Sequence, residues 1–259
     1  MRIITWNINS VRARTGIVEQ LVKTYDPDVL CLQETKVQDH MFPTHFFEEI
    51  GLPNLAIHGQ KSHHGVATAA KAPFEDSFKI DWCKKGDARH IAVKIKGVTL
   101  HNFYVPAGGD EPDPEKNDKF AHKLQFVEEM TEWSKDLTEP SIVVGDLNIA
   151  PHPDDVWDHK KLLKVVSHTP VETEGMMKLI EAHGWVDVMR EFTPLPEKLY
   201  SWWSYRARDW SAADKGRRLD HIWVSPSLKG KPTHMEVARD ARGWEKPSDH
   251  APVIMDIDL

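Results

Sequence analysis

The chain has 259 residues, enough for one large domain or two small ones with a real hydrophobic core. Its formal net charge of −7 excludes a general polyanion binder of the histone kind, so a nucleic acid could bind only at a local basic surface. The two cysteines exclude a disulfide framework, and no apolar run resembles a signal peptide or a membrane span, so we expect a cytoplasmic protein.

Short strand-like runs, rich in branched and aromatic residues, are spread over the whole chain. In chain order they read RIITW, DVLCLQ, GVATAA, HIAVKI, VTLHNFY, SIVVG, RLDHIWV and PVIMDIDL. Only Lys96 and Gly97 separate HIAVKI from VTLHNFY, which predicts a hairpin and therefore antiparallel pairing. Cys31 lies inside one of the apolar runs, and we interpret it as a core residue.

Helices are predicted between these strands. One spans about residues 10–25, and another spans about residues 172–183, where Gly184 ends it. The clearest helix follows the Gly-, Pro- and Asp-rich loop 106–118, and its apolar residues recur at steps of three and four: Phe120, Leu124, Val127, Met130, Trp133 and Leu137. Many strands with few helices predict an α/β protein with two packed β-sheets and the helices outside.

Polar side chains collect where the predicted strands end. They are Asn7, Glu34, Tyr104, Asp146 and Asn148 at carboxyl ends, and Asp220, Asp249 and His250 at amino ends. When a sheet contains both strand directions, these two kinds of end share a rim, so the side chains can line one pocket. For the stretch GDLN alone, a simple turn is the alternative, because Gly, Asp and Asn favour turns for local backbone reasons.

The residue types at these strand ends indicate a chemistry. Several carboxylates at close range repel one another unless a cation lies among them. Their oxygen atoms suit Mg²⁺ or Mn²⁺, which share phosphate oxygens with a substrate. A single histidine among acids is a poor zinc site, but beside a carboxylate it suits proton transfer or contact with a phosphate. The set therefore predicts metal-assisted hydrolysis of a phosphoester.

Longer motifs extend this interpretation. In order along the chain they are ITWNINSVRAR, LCLQETK, VVGDLNIAP, YSWWSYRA, GRRLDHIWVS and KPSDHAPV. Together they resemble the exonuclease III family of apurinic/apyrimidinic endonucleases, within the wider endonuclease/exonuclease/phosphatase fold group. LQETK and SWWSYRA favour the DNA-repair branch over the lipid and inositol phosphatases. The resemblance implies one such domain over residues 1–259, with a DNase-like four-layer α/β sandwich of two packed mixed or antiparallel sheets flanked by helices.

The resemblance also implies where a metal would bind. Glu34 would be its main carboxylate ligand, Asn7 would assist, and Asp249 would be a further acid nearby. Lys36 follows the metal carboxylate and would bias its charge, although a solvated lysine is an equally good interpretation of that residue.

Roles in the reaction follow from the same resemblance. Asp146 would position or deprotonate the attacking water, and Asn148 would help to orient it. Asp220 and His250 would form a carboxylate–imidazole pair that contacts the scissile phosphate. Tyr104 would lie beside the phosphate and the departing oxygen.

The stretch YSWWSYRARDW interleaves aromatic residues with arginines, which is typical of nucleic-acid contact, although a tryptophan-rich core under a basic surface is the alternative. In the family, the aromatic residue at Trp202 lines the pocket for a flipped abasic sugar. Leu219 would be another wall, and Arg206 would bind the substrate. Two positions depart from the family pattern: Ala107 replaces Asn or Gln, and Arg217, which we also expect at the substrate, replaces the Trp of related enzymes.

We therefore expect a monomeric, Mg²⁺-dependent DNA repair phosphodiesterase, with Mn²⁺ as a substitute ion. Its partner would be double-stranded DNA with abasic or 3′-blocked sites, cleaved 5′ of the abasic site, with 3′–5′ exonuclease and 3′-end-cleaning activity. The alternatives are an enzyme for a non-DNA phosphoester, a specialised 3′-phosphodiesterase with weak abasic endonuclease activity, and a nucleic-acid-binding module without catalysis.

Overall fold

The computed structural model describes residues 1–259 and contains two large β-sheets. The strands, β1 to β14 in chain order, are Arg2–Asn7, Val29–Gln33, Asn54–His58, Val66–Ala70, Asp76–Phe78, His90–Ile95, Val98–Tyr104, Ser141–Asp146, Val186–Asp187, Trp202–Trp203, Gly216–Arg217, Asp220–Val224, Pro232–Val237 and Val253–Ile257. The α-helices, α1 to α7, are Thr15–Tyr25, Thr44–Glu49, Asp118–Lys135, His159–Leu162, Pro170–His183, Val188–Phe192 and Trp210–Ala213.

Both large sheets have six strands and contain both strand directions. The first has the order β13-β14-β1-β2-β4-β3, and the second has the order β5-β6-β7-β8-β12-β9. The pairs β1–β2 and β7–β8 are parallel, and their neighbours are antiparallel. The predicted hairpin is confirmed, with Lys96 and Gly97 at φ 48° and 74°, the left-handed values that a two-residue type I′ turn requires.

Alternation of side chains along the strands builds four layers. In β1, Ile3 joins the core between the sheets, whereas Ile4 packs outward in a cluster with Leu21 of α1. In β8, Ile142 points into the same central core, and Val143 packs outward in a cluster that α3 and α5 share. The predicted sandwich of two packed sheets flanked by helices is confirmed. No helix of the structure is both long enough and apolar enough to cross a membrane.

The predicted helices exist, but two of them begin elsewhere. The first begins at Thr15, because Asn9 and Ser10 have positive φ angles of 48° and 87° and the chain turns there. The helix predicted over residues 172–183, which is α5, begins at Pro170, two residues before the predicted start, and the preceding Thr169 is its N-cap. Glu172 forms a capping box with Thr169, in which each side chain accepts the backbone N–H of the other residue. The carboxylate of Glu172 therefore caps the N-terminal end of α5.

Two buried histidines make the stability of the fold depend on pH. His90 accepts the N–H of Ile80 at its Nδ1 atom (3.2 Å) and faces Nδ1 of His101 with its Nε2 atom (3.1 Å), so the pair is held neutral. Burial lowers the pKa of His90 well below the usual range and lowers that of His101 to about 3. Unfolded histidines titrate near pH 6.5, so the contribution of the neutral rings is full above about that pH and is lost as the pH falls below it.

We expect His101→Phe to flatten this dependence. Removing one such group should reduce the change in unfolding free energy between pH 6.5 and 5.5 by about 1 kcal/mol. Urea unfolding at both pH values measures the difference. The same assay on His45→Phe, at an exposed ring, is the control and should keep the parental slope. If the His101 variant keeps the parental pH dependence, the pKa of this ring does not differ between the folded and unfolded states.

Candidate active site

The sheet topology brings the predicted strand ends together at one edge of the sandwich. The register places Asp146 at the end of β8 directly between Tyr104 of β7 and Asp220 of β12. β14 runs antiparallel to β1, so His250, which precedes β14, meets the end of β1. We call the following set the rim: Asn7, Glu34, Tyr104, Asp146, Asn148, Asp220, Asp249 and His250.

Asn7 joins the two sheets at the rim. Its side-chain amide donates to Oε1 of Glu34 at 2.9 Å and to Oδ2 of Asp146 at 2.8 Å. Its side-chain oxygen, Oδ1, accepts the backbone N–H of Asn9 at 3.0 Å, which fixes the direction of the amide. Asn7 is fully buried, so it holds two carboxylates from different sheets in one arrangement without adding charge.

His250 forms a buried ion pair with Asp220. Its Nδ1 atom lies 2.8 Å from Oδ2 of Asp220, and its Nε2 atom lies 3.6 Å from Oδ2 of Asp146. Burial opposes the charged ring, but the two carboxylates outweigh it and raise the pKa of His250 to about 10. The ring is therefore a cation at neutral pH, and its Nε2–H points towards Asp146.

Asp146 is a rim carboxyl group with a strongly raised pKa. Burial raises its pKa to about 7, and the carboxylates of Asp220 and Glu34 add to the shift against the opposing charge of His250. Oδ1 accepts the backbone N–H of Asn148 at 3.0 Å, across a turn in which Asn148 has φ 53°. The GDLN stretch is thus both a turn and part of the rim, so the two interpretations of the sequence are not exclusive.

Asn148 and Tyr104 complete the inner wall of the rim. The side-chain amide of Asn148 donates to the carbonyl of Val105 at 2.9 Å, which leaves its side-chain oxygen as an acceptor. Burial, with the nearby carboxylates of Glu34 and Asp146, raises the pKa of Tyr104 well above its usual value. The phenol therefore stays protonated and can donate a hydrogen bond.

The rim fits a hard divalent cation. Three buried groups could converge on an ion, namely Asp146, Asp220 and His250. However, the two carboxylates hold His250 as an imidazolium, which has no free lone pair for a metal. Glu34 is the better ligand because hydrogen bonds from Asn7 and the charge of Lys36, 3.0 Å away, lower its pKa in spite of burial. Burial, and to a smaller extent the neighbouring carboxylates, raise the pKa of Asp146, and a nearby cation would offset both effects.

A group of aromatic, basic and apolar side chains lies beside the rim, on and next to the short ribbon of β10 and β11. The indole of Trp202 donates to Oδ2 of Asp249 at 3.0 Å, and Asn9 approaches the other oxygen of that carboxylate at 3.4 Å. Trp202 packs against a small apolar cluster that includes Leu219, and the guanidinium of Arg217 lies over its ring. We call Trp202, Arg217 and Leu219 the Trp202 pocket.

The predicted substrate residue Arg206 lies outside this pocket. It is exposed and lines a shallow cleft with Trp203 and Trp210, and no side-chain contact joins it to the rim. Trp203 is buried and supports the ribbon, so part of the tryptophan-rich stretch is core, as the alternative interpretation of the sequence had it.

Two further residues support the site, and neither was predicted to do so from the sequence. The hydroxyl of Ser201 donates to Oδ2 of Asp220 at 2.6 Å and accepts the N–H of Leu219. Lys123 is fully buried, forms an ion pair with Glu172, and donates to the carbonyl of Asn148 at 2.8 Å. Lys123 lies one position from Leu124 on the apolar stripe of α3, and this placement was the available signal that its charge is internal.

We expect Trp202→Ala to lower kcat/KM for a duplex with an abasic-site analogue by about 10- to 100-fold, because one face of the pocket is lost. Binding of Mn²⁺, followed by isothermal titration, should change far less. Trp202→Phe keeps a ring but loses the bond to Asp249, so it should recover most of the activity. Equal losses of metal binding and cleavage in the Ala variant would show that the ring is structural.

A carboxylate–imidazolium pair beside a metal-competent carboxylate, set in the rim of two packed sheets, defines a phosphoester hydrolase. A sequence profile of the Endonuclease/Exonuclease/phosphatase family matches residues 4–250, and the chain belongs to this family.

Individual relatives agree with this assignment. Exodeoxyribonuclease III of Haemophilus influenzae is 32% identical over 269 aligned residues, which cover 98% of each chain. The structure of an AP endonuclease from Archaeoglobus fulgidus is 33% identical with a TM-score of 0.93, and all of both chains is covered. A 3′ phosphatase from Neisseria, bound to a product DNA hairpin, is 30% identical with a TM-score of 0.92 and the same full coverage. The chain is a phosphodiester hydrolase of the DNA-repair nuclease type.

Proposed function

We propose that this enzyme hydrolyses the DNA backbone 5′ of abasic sites and also removes nucleotides and blocking groups from 3′ ends. The observation that carries the proposal is the chain of contacts from Asp220 through His250 to Asp146, at 2.8 and 3.6 Å. It sets an imidazolium next to a carboxylate of raised pKa, so that one group can bind phosphate while the other accepts a proton.

In the proposed reaction, Asp146 accepts a proton from the water that attacks phosphorus in line. Its pKa of about 7 lies near the working pH, which is favourable for a general base. The side-chain oxygen of Asn148 is free to accept the other hydrogen of that water, because its amide nitrogen is occupied by Val105. Together the two residues would hold the water in one orientation.

His250 and Tyr104 would act on the phosphate. The imidazolium of His250 would donate from Nε2 to a non-bridging oxygen, where negative charge grows in the transition state. Asp220 keeps that ring charged, and Ser201 keeps Asp220 in place. The protonated phenol of Tyr104 would donate to the phosphate or to the departing 3′ oxygen.

We propose Mg²⁺ as the resident ion, with Mn²⁺ as a substitute, held by Glu34 with the help of Asn7 and Asp249. Oxygen donors of this kind suit both ions. When bound, the ion would neutralise charge on the phosphate oxygens. Asp249 contacts Trp202 and Asn9, so it would connect the metal region to the Trp202 pocket.

The Trp202 pocket would receive the abasic sugar, turned out of the helix. A sugar without a base costs little to extrude, so extrusion itself favours damaged sites. Leu219 would form an apolar wall, and Arg206, which is exposed, would meet the phosphate backbone of the duplex outside the pocket.

We also propose that residues 1–259 form a single domain and that the enzyme is a monomer. Support for one domain comes from the central core, which includes Ile3 and Ile257 from opposite ends of the sequence. Sedimentation at micromolar concentration tests the monomer, and a concentration-dependent mass would contradict it. Cytoplasmic location stays a prediction of the sequence.

A labelled duplex with one abasic-site analogue, incubated with Mg²⁺ or with EDTA, tests the function. Incision on the 5′ side with Mg²⁺ alone is the expected result. Parallel reactions on an undamaged duplex and on a 3′-phosphate duplex rank the activities. No reaction on any DNA would contradict the proposal and direct attention to small phosphoesters such as inositol phosphates, whereas DNA binding without cleavage would indicate a non-catalytic module.

A further inference from the structure

Arg217 is held rigidly at the wall of the Trp202 pocket. Its backbone lies directly opposite Trp202 in the ribbon, and its guanidinium carbon lies 5.1 Å from the centre of the indole ring. Nη1 donates to the carbonyl of Val166 at 3.2 Å and to the hydroxyl of Ser167 at 3.0 Å. Stacking and two hydrogen bonds therefore fix the side chain before any substrate arrives.

The charge of Arg217 has no partner in the protein. None of the ion pairs within 4.0 Å in the structure includes it. Its Nε atom is buried and has no hydrogen-bond partner. Glu172 is the one carboxylate that favours its charge, and Glu172 is already paired with Lys123. Two cations, Arg217 and Lys123, thus lie near a single acid, Glu172.

A partly buried guanidinium without a counter-ion loses some of its hydration without compensation, and burial accordingly lowers the pKa of Arg217. Other arginines near the site avoid this cost. Arg218, next in sequence, is fully buried but is paired with Asp155 and Asp187. Arg206 and Arg208 are exposed to water. Among these neighbours, Arg217 alone combines partial burial with an unpaired charge beside Trp202, so an anion that enters the Trp202 pocket would satisfy it.

The chemistry of the proposed substrates says which anion this is, and this step rests on the proposed function. At an internal abasic site, the oxygen of the scissile phosphate that faces the pocket is esterified to the sugar and carries no charge. At a 3′-phosphate end, the sugar is absent and the same position holds a free anionic oxygen. A fixed guanidinium at the wall would therefore bind the 3′-phosphate end more tightly, and it would add little to the binding of an internal abasic site.

We propose that Arg217 is a specificity-determining residue that binds the terminal phosphate of 3′-phosphomonoester DNA ends, and so shifts this enzyme towards 3′-end cleaning. In the reaction, the water oxygen forms a bond to phosphorus and the bond from phosphorus to the 3′ oxygen breaks. The 3′ oxygen takes up a proton, and inorganic phosphate leaves on the side of the pocket where Arg217 lies.

The test compares Arg217→Met with the parent on two duplexes, one with a 3′-phosphate end and one with an internal abasic-site analogue. The variant keeps an unbranched side chain that can cover Trp202 but removes the charge. We expect the ratio of kcat/KM for 3′-phosphate removal to that for abasic incision to fall about 10- to 100-fold. Arg217→Lys keeps the charge and should recover part of the ratio. Inhibition by inorganic phosphate should weaken in the Met variant as well.

Arg208→Met is the matched control, because it removes the same charge from the exposed part of the neighbouring stretch. It should lower both reactions together and leave the ratio unchanged. An unchanged ratio in Arg217→Met, or an equal fall in Arg208→Met, would overturn the inference. If the parent incises the abasic duplex but does not remove the 3′-phosphate, the inference fails while the proposed function stands. If the parent cleaves neither duplex, the proposed function fails first.

Discussion

Asp146→Asn is expected to lower kcat on an abasic duplex by about 10³-fold or more, while the Kd for the same duplex stays within about twofold. An amide cannot accept the proton of the attacking water. It also brings an NH₂ group to a place where Asn7 and Asn148 both donate to the carboxylate, so one of those contacts must turn repulsive. Single-turnover cleavage and gel-shift titration separate the two effects.

The fold should survive this substitution. Burial raises the pKa of Asp146 to about 7, which means that the ionised carboxylate destabilises the folded state at and above neutral pH. A neutral amide removes that cost, which offsets the one contact that turns repulsive, so the melting temperature should stay close to that of the parent. Asp136→Asn makes the same change of charge at an exposed position and should leave cleavage unaltered. Parental cleavage by Asp146→Asn would remove this residue from the mechanism.

Asp155→Ala should reduce the free energy of unfolding by about 3–5 kcal/mol. Asp155 is fully buried, and both of its oxygens accept from Arg218, at 2.7 and 3.0 Å, while Arg190 also donates to Oδ1. Without the carboxylate, Arg218 keeps Asp187 but Arg190 loses its charged partner. Urea unfolding at pH 7 measures the loss.

The neighbouring residue gives a matched control. Asp154 pairs with the half-exposed Lys198 at 3.4 Å, so Asp154→Ala should cost less than about 1 kcal/mol. The arginines outweigh burial and lower the pKa of Asp155 to about 2, so its contribution is full above the unfolded pKa near 3.9 and is lost as the pH falls towards 2. Similar losses in the two variants would mean that the buried network adds no more than a surface pair.

Much of this architecture could be predicted from the sequence, because the strands of the central core are continuous apolar runs that end in polar residues. All four edge strands escaped prediction, and β3 and β13, the edges of the first sheet, show why. Both are largely half-buried or exposed and lack a strong apolar run, so tertiary pairing decides their conformation. The rim was predictable because its residue types are unusual for strand ends, and because both strand directions share an edge.

The supports of the rim were not predictable in the same way. In the sequence, Ser201 resembles any polar residue beside an aromatic stretch. Its contact with Leu219 spans 18 residues of sequence and forms only when β10 and β11 pair. Lys123 and Asp155 are charges in segments that contain many charges. The place of Lys123 beside the apolar stripe of α3 is a local signal of burial, and Asp155 has none. The partners of both charges come from distant segments, which local patterns do not identify.

The position of β1 between β14 and β2 has a consequence for how this enzyme becomes active. Asn7 and His250 lie near opposite ends of the sequence, yet Ser248 donates to the carbonyl of Asn7 and fastens the two ends together. Contacts of such long sequence separation form late and slowly, because the chain must close a large loop before they gain any free energy. A nascent or partly refolded chain would therefore have no nuclease activity. The rate at which cleavage recovers during refolding should equal the rate at which β14 pairs with β1.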